Sequence, residues 1–372
     1  MNTMTNFRDS FYMSTGDYNE LVNEVHSLEN TTSWIDGVKS NEISISSVVP
    51  DDITGSEADI VNDTMKNTGI MIEFNGKRYC LRDTAVTSLL STANISGSAL
   101  GRLSAAKLAE VVNTCMSVSK GNSLMLYRGG KISACLSENY KVMPIAVLLK
   151  ATTKTLRDRF GAIRFCEGEI THAVTTALWE LPDAQSDLLD VYNDSVEKHK
   201  RQLHGRTFMP AVRFITSDVG KCAATLIPVF KMSNGACIRI NSGIKVAHKG
   251  SGGIDAYMKA IDLIYAKFKD MGKTISVMSR CCIDHPLNAL VGMCKKAGIP
   301  KKYASIAYDE IEMFAGTGSC YMDDIYLSIA SITAAAERSG LTKNRILDLE
   351  ESIAKILSFD WDSFDVSGTV SW

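Results

Sequence analysis

Residues 209–270 constrain the fold more than any other stretch. Met209–Ser217 alternates Val212, Phe214 and Thr216, as a strand with one buried face does. A turn at Asp218-Val219-Gly220 leads into a second strand, Cys222–Phe230. Ser233-Asn234-Gly235 then marks a hairpin, because Asn-Gly accepts the positive φ of a tight turn. Ala236–Val246 reads as a third strand, with the β-branched bulk of Ile238, Ile240, Ile244 and Val246. After the glycine-rich loop His248–Gly253, apolar residues from Ile254 to Phe268 recur at helical spacing. An antiparallel β-β-β unit covered by a helix is the expected outcome.

The same grammar extends in both directions. Ile70–Phe74, Asn75-Gly76 and Arg78–Leu81 form a hairpin, and helices follow at Thr84–Leu90 and after the cap Ser104. Ser123–Tyr127 and Lys131–Leu136 flank the turn Arg128-Gly129-Gly130, and Pro144 opens a helix reaching Phe160. Ala162–Phe165 and Ile170–Leu181 alternate as strands do, although Thr171–Leu181 also fits a helix, and Asp187–Gln202 reads as a helix. From Ile275 the pattern is helical, over 286–297, 302–314, 321–338 and 342–357. The fold class expected is α+β: antiparallel hairpin and sheet units covered by helices, with a helical C-terminal region.

A chain of 372 residues is long for one compact unit. The expected division is an acidic, partly disordered arm over 1–66, an α+β core over 67–272 made of two units (67–205 and 206–272), a helical region over 273–358, and an acidic-aromatic tail over 359–372. The arm carries 12 Asp/Glu against 3 Lys/Arg, so a net charge of −2 conceals a mildly basic body. Such a body permits nucleic-acid binding without requiring it. No apolar run reaches the roughly 20 residues that span a bilayer, and Met1–Asn6 has no secretory pattern. The ten scattered cysteines fit a reducing compartment, so a cytoplasmic location is expected.

Each chemical motif has a plainer reading beside it. Cys281-Cys282-Ile283-Asp284-His285 with Cys294 offers three zinc ligands, but no C-x-x-C pair occurs; buried cysteines and a helix-capping Asp284 account for it. The loop His248–Gly253 departs from the phosphate-binding G-x-x-x-x-G-K-[ST] pattern. Ser217, Asp218 and His248 would serve an enzyme only if they converged in a pocket; a polar turn explains the first two. No catalytic residue, metal or cofactor is therefore assigned. The cations Arg128, Lys131, Arg213, Lys221, Arg239, Lys245 and Lys249, interleaved with Tyr127, Tyr140, Phe165 and Phe214, suit a groove that tracks a nucleic-acid backbone and stacks its bases. A solvated sheet face with buried aromatics is the alternative.

Gly76–Asp83, Val112–Cys115, Ser123–Ser137 with Tyr140, and Val212–Gly220 through Ser251 resemble an uncharacterised phage/plasmid-like protein family, domain of unknown function 932. The resemblance covers roughly residues 70–270. It implies a phage, prophage or plasmid origin and no established activity. By outline alone, such hairpin-and-helix phage proteins are similar to single-strand annealing proteins. The expectation is a DNA-binding accessory protein, an oligomer acting on single-stranded DNA, with the seven cations on phosphates. The alternative is a non-enzymatic module that modulates a host defence or replication component, with the tail 359–372 docking onto a protein partner.

Overall fold

The computed structural model describes residues 6–49, 57–201, 206–240, 242–316 and 318–372. In chain order its first elements are β1 (Tyr12–Thr15), α1 (Tyr18–Asn30), β2 (Thr32–Lys39), β3 (Ser44–Ser47), α2 (Ala58–Asn67), β4 (Ile70–Phe74), β5 (Lys77–Leu81), α3 (Asp83–Thr92), α4 (Ala105–Met116), β6 (Asn122–Arg128) and β7 (Lys131–Ser137). Then come α5 (Ile145–Phe160), β8 (Arg164–Thr171), β9 (Thr175–Glu180), α6 (Gln185–Lys198), β10 (Phe208–Thr216), β11 (Ala224–Met232), β12 (Cys237–Ile238) and β13 (Ile244–Val246). The last third holds α7 (Ile254–Ile261), α8 (Ile264–Met278), β14 (Cys282–Ile283), α9 (Pro286–Ala297), α10 (Lys301–Ala315), β15 (Cys320–Tyr321), α11 (Met322–Arg338) and α12 (Lys343–Lys355). The protein is α+β, with antiparallel sheets, covering helices and a helical C-terminal region. None of the described helices is long and apolar enough to cross a membrane.

A six-stranded sheet runs β2-β6-β7-β5-β4-β3 and is antiparallel except between β5 and β7. The Asn75-Gly76 hairpin forms as expected, with φ of 51° and 68°. Ser104 caps α4 by accepting from the Lys107 amide at 3.3 Å. One face of this sheet buries Ile72, Leu81, Met125 and Ile132 against α3 and α4. On the opposite face, Met71 and Cys80 pack against Val61 of α2.

The second sheet runs β1-β8-β9-β10-β11-β12, and β13 also pairs with β11. The expected third strand, Ala236–Val246, is interrupted: β12 joins one end of β11 and β13 the other, and the chain leaves the ladder between them. Val212, Phe214, Leu226 and Phe230 lie in the main core with α5, α6 and α8. The expected covering helix is two, α7 and α8, broken near Asp262.

Two parts of the expected organisation differ from the structure. Residues 12–47, read as an arm, supply β1, β2 and β3, which are edge strands of both sheets. An edge strand has one neighbour and a wet side, so it carries few apolar residues and reads as polar chain. Residues 1–5 and 50–56 of that arm, and Gln202 at the expected helix end, lie outside the described residues. The break between sheets falls after Ser137 rather than near 205, because α5, β8, β9 and α6 build onto the second sheet.

Candidate nucleic-acid interface

The two sheets meet at the turn between β10 and β11. Val219 leaves the second sheet and buries itself among Leu124, Leu126, Ala134 and Leu136 of the first. Trp34 and Tyr140 close this contact. The Tyr140 ring lies parallel to His248, 4.9 Å away with 5° between planes, and 6.0 Å from Trp34. Its hydroxyl donates to the Ser217 carbonyl at 3.0 Å. His248 is tied to the same strand end: the Lys141 amide donates to its carbonyl at 2.7 Å, and its Nδ1 lies 3.2 Å from the Lys141 carbonyl. A carbonyl only accepts, so Nδ1 carries the proton. Burial lowers the imidazole pKa and keeps the ring neutral.

A cleft lies on each side of this turn, both lined by Leu136, Ser137 and Gly220. The larger, about 780 Å³, has a hydroxyl wall from α3 (Thr84, Thr87, Ser88, Ser91, Thr92) and includes Asp83, Lys120, Asn122 and Lys221. These α3 residues recur at three- and four-residue spacing and so share one helix face. The smaller, about 340 Å³, is lined by Tyr140, Cys222, Ala223, His248 and Lys249.

The seven expected phosphate-binding cations divide into two groups. Lys221, Lys245 and Lys249 are exposed. Lys221 and Lys249 line the two clefts. Lys245 stands on β13, and its charge, with that of Lys221, opposes the burial that pushes the Cys222 thiol up to about 11. The other four are buried, which corrects their assignment as surface phosphate contacts. Arg128 bonds Thr32 and Asp218. Lys131 has no exposed surface and bridges Asp9 at 2.9 Å and Asp63 at 2.5 Å. Arg213 pairs with Glu350 of α12, both buried. Arg239, also buried, reaches Glu351 at 3.9 Å. Burying a charge without a partner is costly, so these cations come with carboxylates already in place.

Two participants were missed by sequence reasoning. Lys120, exposed in the loop before β6, lines the larger cleft beside Lys221; its signal was the Ser119-Lys120-Gly121 turn. Arg82, 1% exposed, donates to Asp9, Ser133 and the carbonyls of Asn6 and Arg8. Burial lowers its pKa to about 10. No local pattern marks an arginine whose N-terminal partners Asn6, Arg8 and Asp9 lie over seventy residues away.

Ser217, Asp218 and His248 come close without forming a relay. Ser217 Oγ accepts from the Lys221 amide at 3.0 Å, Asp218 holds Arg128, and His248 holds the Lys141 carbonyl. Among the described residues no group of His, Cys, Asp or Glu is placed to hold a metal ion. Asp284 does not cap α9; the carboxylate at that helix start is Asp365, which accepts from the Asp284 and His285 amides. The loop before α7 is a tight turn, in which any side chain at Gly252 would meet the Ala247 carbonyl at 1.7 Å. Comparison with protein-family models, curated proteins and solved structures finds no match to this chain.

Proposed function

We propose that this protein is a DNA-binding accessory protein of phage or plasmid origin that holds single-stranded DNA along the seam between its sheets, in the host cytoplasm. The observation that carries the reading is the gathering of Lys120, Lys221 and Lys249 along the two clefts, with Lys245 exposed on the adjacent strand. None of these four has an ion-pair partner among the described residues. Their ammonium groups are point charges suited to phosphates, and the α3 hydroxyls supply further donors. The rings of Trp34, Tyr140 and His248 already stack on one another. Affinity therefore rests on phosphate neutralisation more than on base stacking, and base edges stay free to pair, as annealing requires. Four neutralised phosphates give a salt dependence of log K against log salt of roughly −3 for a single strand. The resemblance over residues 70–270 points to the same setting.

The test is fluorescence anisotropy of the full chain with a labelled single-stranded oligonucleotide and with its duplex, at two salt concentrations. Salt-sensitive binding that prefers the single strand is expected; no binding at low salt overturns the proposal. An interaction module acting on a host defence or replication component is the second reading, favoured by the acidic-aromatic segment laid along α9.

A further inference from the structure

Residues 359–372 are held along α9 by contacts of several kinds. The Asp365 carboxylate sits at the α9 N-terminus, which has no side-chain cap of its own, at 2.9 and 2.6 Å from the Asp284 and His285 amides. Phe364 lies over Gly292 so closely that a Cβ there would meet its ring at 2.6 Å. Asn288 reads the peptide backbone: its Nδ2 donates to the Val366 and Gly368 carbonyls at 2.7 and 2.8 Å, and its Oδ1 accepts from the Val370 amide at 3.2 Å. Lys296 lies over the rings of Phe359 and Phe364, at 4.6 and 5.4 Å. The Trp372 ring meets Tyr308 at 6.2 Å. Helix charge, a glycine notch, a backbone clamp and cations over rings together make a peptide-recognition surface.

We propose that the α9–α10 face is a docking site for an acidic-aromatic peptide, and that its occupant in trans is residues 362–372 of a second copy of this chain. Three observations argue for exchange. Trp361 is buried in the main core and anchors the segment to its own chain, whereas Asp362, Ser363, Val366–Thr369 and Ser371 beyond it are exposed. The segment after that anchor extends roughly 35 Å when fully stretched, enough to reach a neighbour. The docked segment also leaves a cavity of about 310 Å³ against Pro286, Leu287 and Tyr308, so the face has room beyond its present occupant. Lys295, Lys296 and Lys301 against Asp362 and Asp365 supply the charge match in cis and in trans alike. Each exchange frees a face as it fills another, so two copies can close a reciprocal pair.

The test uses two full-length variants with circular dichroism as the folding check: Asn288→Ala with Lys296→Ala, which spoils the face, and Phe364→Ala with Asp365→Ala, which spoils the peptide. Light scattering is expected to find the unaltered chain dimeric as concentration rises, and each variant alone monomeric. An equimolar mixture of the two variants is expected to form a one-to-one dimer, since one intact face meets one intact peptide. A labelled peptide of residues 359–372 is expected to bind the Phe364→Ala, Asp365→Ala chain at least tenfold more tightly than the unaltered chain, whose own segment competes. An unaltered chain that stays monomeric, a mixture that stays monomeric, or a dimer that survives either variant overturns the proposal.

Discussion

Lys131 and Lys221 have the same side chain, and the fold uses them in opposite ways. Lys131 opens the strand after a hairpin turn, has no exposed surface and is locked between Asp9 and Asp63. Lys221 stands in the turn that joins the two sheets and is exposed along a cleft. Around the first gather Arg82 and Arg128, each paired with a carboxylate. Around the second stand Lys120, Lys245 and Lys249, with no ion-pair partner among the described residues. Asp9 and Asp63 of the acidic N-terminal segment neutralise cations inside the six-stranded sheet, whereas the exposed lysines at the seam have no such carboxylate beside them among the described residues. A basic residue on a strand is thus weak evidence of a binding face until its carboxylate partners are known.

The comparison breaks most sharply at Arg213, whose carboxylate partner Glu350 is buried as deeply as the guanidinium itself. Arg213→Ala leaves Glu350 buried without its cation and is expected to cost roughly 3–5 kcal/mol. Urea unfolding measures this, and a loss under 1 kcal/mol would mean that α12 does not cover the sheet. Replacing both partners with apolar residues of similar size should restore most of the loss.

Lys131→Ala leaves Asp63 and Asp9 short of a charged donor, at an expected cost of roughly 1.5–3 kcal/mol. The same variant should speed proteolysis within residues 6–15, because Asp9 links the N-terminal segment to this sheet. Equal cleavage rates in the variant and the unaltered chain would count against that link.

Acid sensitivity sharpens the contrast further. His172 is buried beside Arg82, Arg128 and Lys131, and burial first, then those cations, lowers its pKa from 6.5 to about 2. The unfolded chain takes up a proton below pH 6.5 that the folded chain refuses. Stability therefore falls with pH from about 6.5 downward, by up to about 1.4 kcal/mol per pH unit. Asp63 acts lower in the range: burial opposes ionisation, but Lys131 and the Asp9 amide outweigh it and hold the carboxyl below 3.8. Its contribution is present above pH 3.8 and is lost as pH falls through its folded value. His172→Gln should flatten the slope between pH 6.5 and 5 in urea titrations, leaving the part due to His248, whose pKa burial also lowers. An unchanged slope would place the acid response elsewhere.

Much of the fold was legible in the sequence, and the parts that were not have a common cause. The helix Pro286–Ala297 was readable to the residue because Pro286 opens it and Gly298, with φ of 72°, closes it. The Asn75-Gly76 and Arg128-Gly129-Gly130 turns set two hairpins for similar local reasons. Edge strands β1 to β3 escaped notice because their stability comes from a neighbour far along the chain. The role of Arg213 escaped for the same reason. Alternation along β10 correctly puts Arg213 opposite Val212 and Phe214, yet nothing local says that α12 covers that second face. Of the candidate site, Lys221, Lys245 and Lys249 could be named from sequence. Their separation from the four buried cations depends on partners such as Asp9, Asp218 and Glu350.

The smallest stability effect belongs to the seam lysines, where exposed substitutions should change unfolding free energy by less than about 0.5 kcal/mol each. That makes Lys221→Ala with Lys245→Ala and Lys249→Ala the most direct test of the division between structural and ligand-binding cations. The measurement is the slope of log K against log salt for a labelled single strand, taken on the unaltered chain and on this triple variant. The account predicts an unchanged unfolding midpoint, weaker binding, and a slope shallower by about 2. Equal slopes and affinities in the two proteins would contradict it.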